Sequence, residues 1–532
     1  MRLPGGAWLL AMTLSWAVHP AAWAGQAETD GKRLYREGIL PSGRPLVAAL
    51  PGGAQLTGRQ AACVTCHRKS GLGSSEGTVV IRPMTVPGFF ADQENPRHYA
   101  RRPNLQLREM RYTEAGFGRA LRDGVAADGR LLNPLMPKYS LDAEAVSALR
   151  AYLSSLALEA SPGVTDSQIH FATIMAPDAE PQVREATLQV LAGMAQMRNA
   201  GSRSEKRRQN IGFDRSAVNW REWVLHVWEL SGAPETWAAQ LERLYREQPV
   251  FAVLSGAGRN WQPVHDFCER QELPCLFPNV DVPGRPEPGA YNLYLSGGVQ
   301  LEAEVMARHL ADQGWSGPVW QIRRPEYRAE AGARAFAQAW QGKAAVRDIV
   351  LHGDGRDKEA LDVLAMDRSG VVILWLEGDD LAGLSALIES RTGPVMASGT
   401  LLGEALTKRA YAQRLLIAWP YALPGAVTPQ ADRVRNWLRS RGIPYGDPRS
   451  QANAYLTTTL VGDAVMHLGN NYSREYLIER IEHGADKSLA SGAFPRVELG
   501  PGQRYASKGA YLVRPGDAPE RPPVVVADWL VP

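Results

Sequence analysis

Cys63, Cys66 and His67 stand together in the run Ala62-Cys63-Val64-Thr65-Cys66-His67, a C-x-x-C-H pattern in a chain of 532 residues. Two thiols three positions apart at a helix start can add to the two vinyl groups of one porphyrin. The histidine that follows then lies beneath the iron as its proximal ligand. The pattern predicts one covalently attached haem c, with Cys63 and Cys66 as thioether positions and His67 as an axial ligand. Rival chemistries fit less well. A thioredoxin-like pair needs a βαβ context, and a zinc site needs a second ligand pair nearby.

The sixth iron position is expected from Leu132-Asn133-Pro134-Leu135-Met136-Pro137-Lys138-Tyr139. The prolines exclude helix there and stiffen an extended loop, from which Met136 can offer its thioether. Such a ligand stabilises ferrous iron and suits electron transfer more than oxygen activation. Met84, Met110, His98 or water are the alternatives. Beyond the loop, Ser140 reads as a helix N-cap, with Asp142 and Glu144 in the first turn. Val146, Leu149, Leu153 and Leu156 recur at helical spacing, so this helix should pack on an earlier one containing Leu34 and Tyr35.

The first residues carry the marks of an export signal. Arg2 is a minimal basic region, Ala7 to Val18 is apolar, His19 and Pro20 interrupt it, and Ala22-Trp23-Ala24 is an A-x-A cleavage site. Cleavage near Ala24 is expected to give a soluble periplasmic protein with no membrane span. Hydrophobic residues make up 45%, charged residues 22%, and the net charge is +3. This balance points to neither nucleic acid nor a membrane surface. In an oxidising compartment Cys268 and Cys275 are expected to form a structural disulfide.

Residues from about 31 to 156 resemble a class I cytochrome c. Arg122-Asp123-Gly124-Val125, Met136-Pro137-Lys138-Tyr139 and the last helix are similar to cytochrome subunits that serve quinoprotein dehydrogenases. The resemblance implies an all-α cytochrome c domain over 25–158, and a redox partner protein of the quinoprotein dehydrogenase kind. One departure is the Gly/Pro-rich stretch between Tyr35 and Cys63.

After a linker at Glu159-Ala160-Ser161-Pro162-Gly163, strand and helix signals alternate. Strands are expected at Ile169 to Ile174, Trp223 to Trp228, Val250 to Leu254, Leu276, Tyr291 to Leu295, Val319 to Ile322, Ile349 to Leu351, Val371 to Leu376 and Leu415 to Ala418. Trp237, Leu241 and Leu244 mark a helix with Pro234 before it, and Leu301 with Val305 and Phe336 with Trp340 mark others. Short apolar strands alternating with helices predict α/β architecture, with open parallel sheets covered on both faces. The length suggests two lobes.

Val250 to Gly256, the helix through Phe267, and Leu273-Pro274-Cys275-Leu276-Phe277-Pro278 resemble the first lobe of a type 1 periplasmic binding protein. Tyr291-Asn292-Leu293-Tyr294-Leu295-Ser296-Gly297, a long helix and a strand ending at Arg323-Arg324 resemble entry into the second. The branched-chain amino-acid binding group is the comparison. It implies a 165–532 module with lobes at roughly 165–287 plus 423–490, and 288–422 plus 491–532. A small-molecule ligand would bind between them, where loops at strand C-termini converge. By position the candidates are Ser255, Gly256, Ala257 and Trp261, then Ser296, and from the second lobe Tyr327, Glu377, Trp419 and Tyr421. Amino-acid binders usually offer small hydroxyl residues after the third strand, whereas Ala257-Gly258-Arg259-Asn260-Trp261 follows here.

No HExxH, GxSxG or Walker pattern occurs. Enzymatic activity is not expected, and a single haem motif with a methionine ligand disfavours a peroxidase. The leading expectation is a periplasmic monohaem electron-transfer protein with a fused solute-binding module, tied to a dehydrogenase chain. The alternative is a solute-binding receptor for transport or sensing with an accessory haem domain.

Overall fold

The computed structural model describes residues 20–76, 79–85, 89–90, 111–158, 161–210, 221–284, 289–342, 344–353, 357, 361–362, 364, 367–403, 414–426, 428–469, 471–488, 492–516, 518 and 521–532. Most of the expected leader, 1–19, lies outside them, as do His98 and Met110. Among the described residues no helix is long and apolar enough to cross a membrane. The chain divides into Met1–Glu159 and Ala160–Pro532.

In the first unit, α1 (Pro20–Glu37) lies against α4 (Ala143–Leu158). Leu34 and Tyr35 of α1 and Leu149, Tyr152 and Leu153 of α4 are buried in one cluster. Each leucine taken from water there contributes about 1.5–3 kcal/mol. The rings of Tyr35 and Tyr152 lie 5.5 Å apart, and Arg36 Nε donates to the Tyr152 hydroxyl at 2.9 Å. The crossing is close enough that a Cβ on Gly31 would sit 2.0 Å from the carbonyl oxygen of Ala148. The cap of α4 is Asp142 and not Ser140: its carboxylate accepts from the Ala145 amide at 2.8 Å.

The unit is not all-α. The Gly/Pro-rich stretch folds into β1 (Val47–Ala49) and β2 (Gln55–Thr57), which with β5 (Lys138–Tyr139) form an antiparallel sheet in the order β2-β1-β5. Gly52 and Gly53, both at φ +88°, make the tight turn between β1 and β2. A hairpin of β3 (Ser74–Glu76) and β4 (Val79–Ile81) follows α2 (Val64–His67), and α3 (Glu114–Asp123) completes the described elements.

The second unit holds two sheets. The first has the order β16-β10-β9-β8-β6-β7 and is parallel throughout. Its strands are β6 (Gln168–Met175), β7 (Glu222–Glu229), β8 (Ala252–Leu254), β9 (Cys275–Leu276), β10 (Asn292–Ser296) and β16 (Tyr505–Ser507). Helices α5 (Pro181–Asn210), α6 (Trp237–Glu247) and α7 (Gln262–Arg270) belong to this lobe, with the later helices Pro429–Ser440, Pro448–Leu468 and Arg474–Ser488. Cys268 at the end of α7 and Cys275 in β9 are joined by a disulfide. The Arg474 guanidinium is buried and donates to the carbonyls of Val250, Phe251, Gln271 and Glu272 and to the Tyr245 hydroxyl, at 2.6–3.4 Å.

The second sheet runs β12-β11-β13-β14-β15-β17-β18. Its strands are β11 (Val319–Arg323), β12 (Val346–Val350), β13 (Val371–Trp375), β14 (Val395–Ser398), β15 (Leu415–Trp419), β17 (Ala510–Arg514) and β18 (Val524–Leu530). Helices α8 (Val299–Asp312) and α9 (Tyr327–Ala339) pack on it. The sheet is mixed, because β17 and β18 join it antiparallel. The lobes also divide differently from expectation. Asn292–Ser296 and Tyr505–Ser507 belong to the first sheet, so the chain crosses after Ser296, again after Trp419, and again between Ser507 and Ala510. The strand at Asn292–Ser296 was legible, but not the sheet it joins, because its outer partner Tyr505–Ser507 lies roughly 200 residues further on.

Candidate functional site

In the first unit the C-x-x-C-H residues occupy one helical turn, with the His67 amide donating to the Cys63 carbonyl at 2.9 Å. Cys63 is buried and Cys66 exposed. The Nδ1 atom of His67 lies 3.2 Å from the Arg82 carbonyl oxygen. A carbonyl can only accept, so Nδ1 carries the proton and Nε2 keeps its lone pair for a ligand role. Burial lowers His67 to about 4, which leaves the imidazole neutral. Burial pushes the Cys63 thiol up to about 12, the opposite of what a thiol-exchange site needs. The donor set therefore fits a porphyrin held by two thioethers and one imidazole. Met136 lies in a turn and not an extended loop: the Leu135 amide donates to Asn133 Oδ1 at 2.9 Å, and the Met136 amide to the Asn133 carbonyl at 2.8 Å. Both Met84 and Met136 pack on the cluster that contains Cys63.

The second unit has a cleft where the loops after β6, β8, β9, β10 and β15 meet the start of helix Pro448–Leu468, the geometry expected at the C-terminal ends of parallel strands. Its free volume is about 60 Å³. Charge dominates the wall. Arg328, on α9 and only 8% exposed, donates to Asp281 at 2.7 Å and to Glu377, and lies 3.9 Å from Glu180. Arg259 pairs with Glu180 at 3.1 Å. Arg449 donates to the Tyr421 hydroxyl at 2.6 Å, sits over that ring at 4.8 Å, and is 3.7 Å from Asp281.

Behind Tyr421 lies a carboxyl buried in the second lobe. Glu302 of α8 accepts from the Thr400 amide at 2.9 Å, from Thr400 Oγ1 at 2.6 Å and from Ser398 Oγ. Thr400 Oγ1 is 2.8 Å from the Tyr421 hydroxyl. Burial raises Glu302 from 4.5 to about 8, against the pull of these donors. The folded protein thus holds a proton that the unfolded chain releases above pH 4.5. Stability contributed by the neutral acid is complete below that point and falls as pH rises toward 8, by about 1.4 kcal/mol per unit. Chemical denaturation between pH 5 and 9 is expected to show this decline in the wild type and a flatter course in Glu302→Gln. Parallel curves would assign the proton elsewhere.

Of the residues expected from sequence, Ser296 and Tyr421 line the cleft, and Glu377 joins its rim through Arg328. Tyr327 packs on the second-lobe core, one residue before Arg328. The others are structural. Ser255 is buried at φ +54°, with its hydroxyl 3.4 Å from Asn279 Nδ2. Gly256 is confined, since a Cβ would meet the Ile174 carbonyl oxygen at 2.7 Å and the Trp261 ring at 2.8 Å. Ala257 extends the sheet pairing, taking the Ile174 carbonyl at 3.0 Å. Trp261 is fully buried with Val264 and Phe267. Trp419 is a core residue whose Nε1 donates to the Ala422 carbonyl at 3.1 Å and whose ring braces Tyr421 edge-on at 5.3 Å. Sequence reasoning missed Glu180, Arg259, Asn279, Asp281, Arg328, Arg449 and Asn453. An arginine on the buried alanine-rich face of α9 was a usable signal for Arg328.

No protein-family description matches the chain, and no curated protein sequence matches it. Among solved structures, similarity is found to a fatty acid ABC transporter substrate-binding protein from Thermomonospora curvata, at 16% identity over 70% of this chain and 95% of that one, with a TM-score of 0.48. A solute binding protein of an ABC transporter from R. palustris in complex with benzoate is 14% identical over 69% of this chain and 98% of that one, at a TM-score of 0.48. The branched-chain amino acid transporter substrate binding protein from Streptococcus pneumoniae, in complex with isoleucine, is 12% identical over 68% and 100%, at 0.47. Likenesses this distant say nothing of what the present chain binds.

Proposed function

We propose that the chain is an exported solute-binding protein, its ligand held in the cleft of the second unit, and that the first unit carries one covalent haem c as an electron-carrying accessory. The observation behind the binding reading is the cleft itself. Glu180, Arg259, Asp281 and Arg449 line a small solvent-open space at the ends of the first lobe's parallel strands, and Arg328 of the second lobe pairs with Asp281 there; such spaces between lobes trap ligands by hinge closure. Receptor work for transport or sensing is the form of this reading that we favour.

The haem reading has its own support in the His67 tautomer fixed by Arg82. When bound, the porphyrin supplies one-electron chemistry. Cys63 and Cys66 tether it, the Arg82 carbonyl orients His67, and Met136 is the proposed sixth ligand, with Met84 as its rival. A periplasmic dehydrogenase of the quinoprotein kind is the proposed redox partner. The purified exported protein, unfolded and extracted with acidified organic solvent, is expected to keep its red pigment, while the double variant Cys63→Ser/Cys66→Ser loses it. Pigment leaving the wild-type chain would end the haem reading. Thermal-shift screening of the intact protein against small metabolites tests the binding reading separately.

A further inference from the structure

A line of hydrogen bonds runs from the interior of the second lobe to the cleft. Arg449 donates to the Tyr421 hydroxyl at 2.6 Å, Tyr421 stands 2.8 Å from Thr400 Oγ1, and Thr400 Oγ1 is 2.6 Å from Glu302 Oε1. On the other side, Ser398 Oγ meets Glu302 Oε2 and accepts from the Leu401 amide at 3.1 Å. Glu302 and Ser398 are fully buried and Thr400 nearly so, whereas Tyr421 and Arg449 line the cleft.

The proton count of Glu302 sets the direction of this line. When the carboxylate is ionised, Ser398 and Thr400 both donate to it. Tyr421 cannot give its proton to a guanidinium, so it donates inward to Thr400 Oγ1. When the carboxyl is neutral, its proton sits on Oε2 or on Oε1. On Oε2 it would go to Ser398, whose own proton would then lack an acceptor among the described residues, at a cost of about 1–3 kcal/mol in a buried site. On Oε1 it goes to Thr400, Thr400 donates to the Tyr421 oxygen, and Ser398 still donates to Oε2. Every interior proton is then satisfied. The one left over belongs to Tyr421, and it is left to the contents of the cleft.

No heavy atom need move between the two states. Tyr421 passes its proton to water in the cleft and takes that of Thr400, while Thr400 takes that of Glu302. Three O–H bonds break, two re-form in the protein and the third forms on water.

We propose that Glu302 is a positioning residue for Tyr421: while it holds its proton Tyr421 donates a hydrogen bond into the cleft, and once it ionises Tyr421 donates inward and the cleft loses that donor. Burial raises Glu302 to about 8 and pushes the Tyr421 phenol up to about 12, so Tyr421 stays neutral through the change. The other charges facing the pair are Arg449, on the Tyr421 hydroxyl, and Asp281, which Arg328 holds at 2.7 Å and which lies 3.7 Å from Arg449. As a control of ligand affinity this rests on the solute-binding reading; the reversal itself does not.

The test is the Cζ resonance of Tyr421 in the intact, ligand-free protein carrying carbon-13 at tyrosine Cζ, assigned by its loss in Tyr421→Phe. On raising the pH it is expected to shift with the release of one proton and a midpoint near 8. Glu302→Gln should hold the resonance in one place over the same range. Thr400→Val keeps the backbone amide on Glu302 but removes the linking hydroxyl, so the shift should shrink at least threefold while the pH dependence of unfolding persists. A Tyr421 resonance that stays still in the wild type, or that moves as far in Glu302→Gln, overturns the proposal. A smaller reduction in Thr400→Val overturns it too, because the charge would then act through space. With no ligand present, none of these results bears on the solute-binding reading.

Discussion

Arg474→Met is expected to cost the second unit about 3–5 kcal/mol, measured by urea unfolding followed through tryptophan emission. Every tryptophan beyond Trp23 lies at position 220 or later, so emission from protein prepared without residues 1–24 reports this unit alone. Methionine matches much of the arginine stem in length, so lost packing is the smaller part of the effect. The larger part is the four carbonyls at Val250, Phe251, Gln271 and Glu272, which lose a charged donor inside the protein. Hydrogen bonds to a charged group contribute about 1.5–3 kcal/mol each, and bonds sharing one donor group do not add fully. Arg328 is no substitute comparison, because its loss would also strand carboxylates. The useful control is Arg308 on α8 of the same unit, 56% exposed and paired with Asp312 at 2.9 Å. Arg308→Met should cost under about 1 kcal/mol, as surface pairs do. Equal costs at the two positions would mean that the buried carbonyls do not depend on Arg474.

Gly31→Val is expected to break the pairing of α1 with α4 and to destabilise the first unit by about 4 kcal/mol or more. The added Cβ would lie 2.0 Å from the Ala148 oxygen, 2.7 Å from its carbon and 2.8 Å from Tyr152 Cβ. Two of these neighbours are backbone, so no rotamer change relieves the contact. The helices must separate, and Leu34, Tyr35, Leu149 and Leu153 lose their mutual burial. Proteolysis within residues 25–158 is the measurement, with tryptophan emission as reference. Gly25 on the same helix meets nothing within 4 Å. Gly25→Val should be tolerated, and similar cleavage of the two variants would count against the close crossing.

The α/β alternation was legible because its strands are apolar and short. Val371 to Leu376 and Leu415 to Ala418 are buried on both faces and read as continuous hydrophobic runs. β14 escaped because Val395-Met396-Ala397-Ser398 is too short and mixed to stand out. β16, β17 and β18 escaped because their partners lie far back in the chain, which no local pattern reveals. The C-x-x-C-H run over Cys63–His67 was legible for the contrary reason: its residues are contiguous and fold as one helical turn. The cleft was only partly legible. Position after a strand found Ser296, Glu377 and Tyr421, but burial decides which exit residues face the opening, and Gly256 turns Ser255 and Trp261 inward. Asp281, Arg328 and Arg449 come from three distant segments, and only folding gives them a common purpose.

The late strands set the timetable of biosynthesis. β16 completes one sheet and β17 with β18 the other, so residues 505–530 contribute to both. A nascent chain that has emerged only as far as Ser488 can finish neither lobe, and its apolar strand edges stay unsealed while the rest is made.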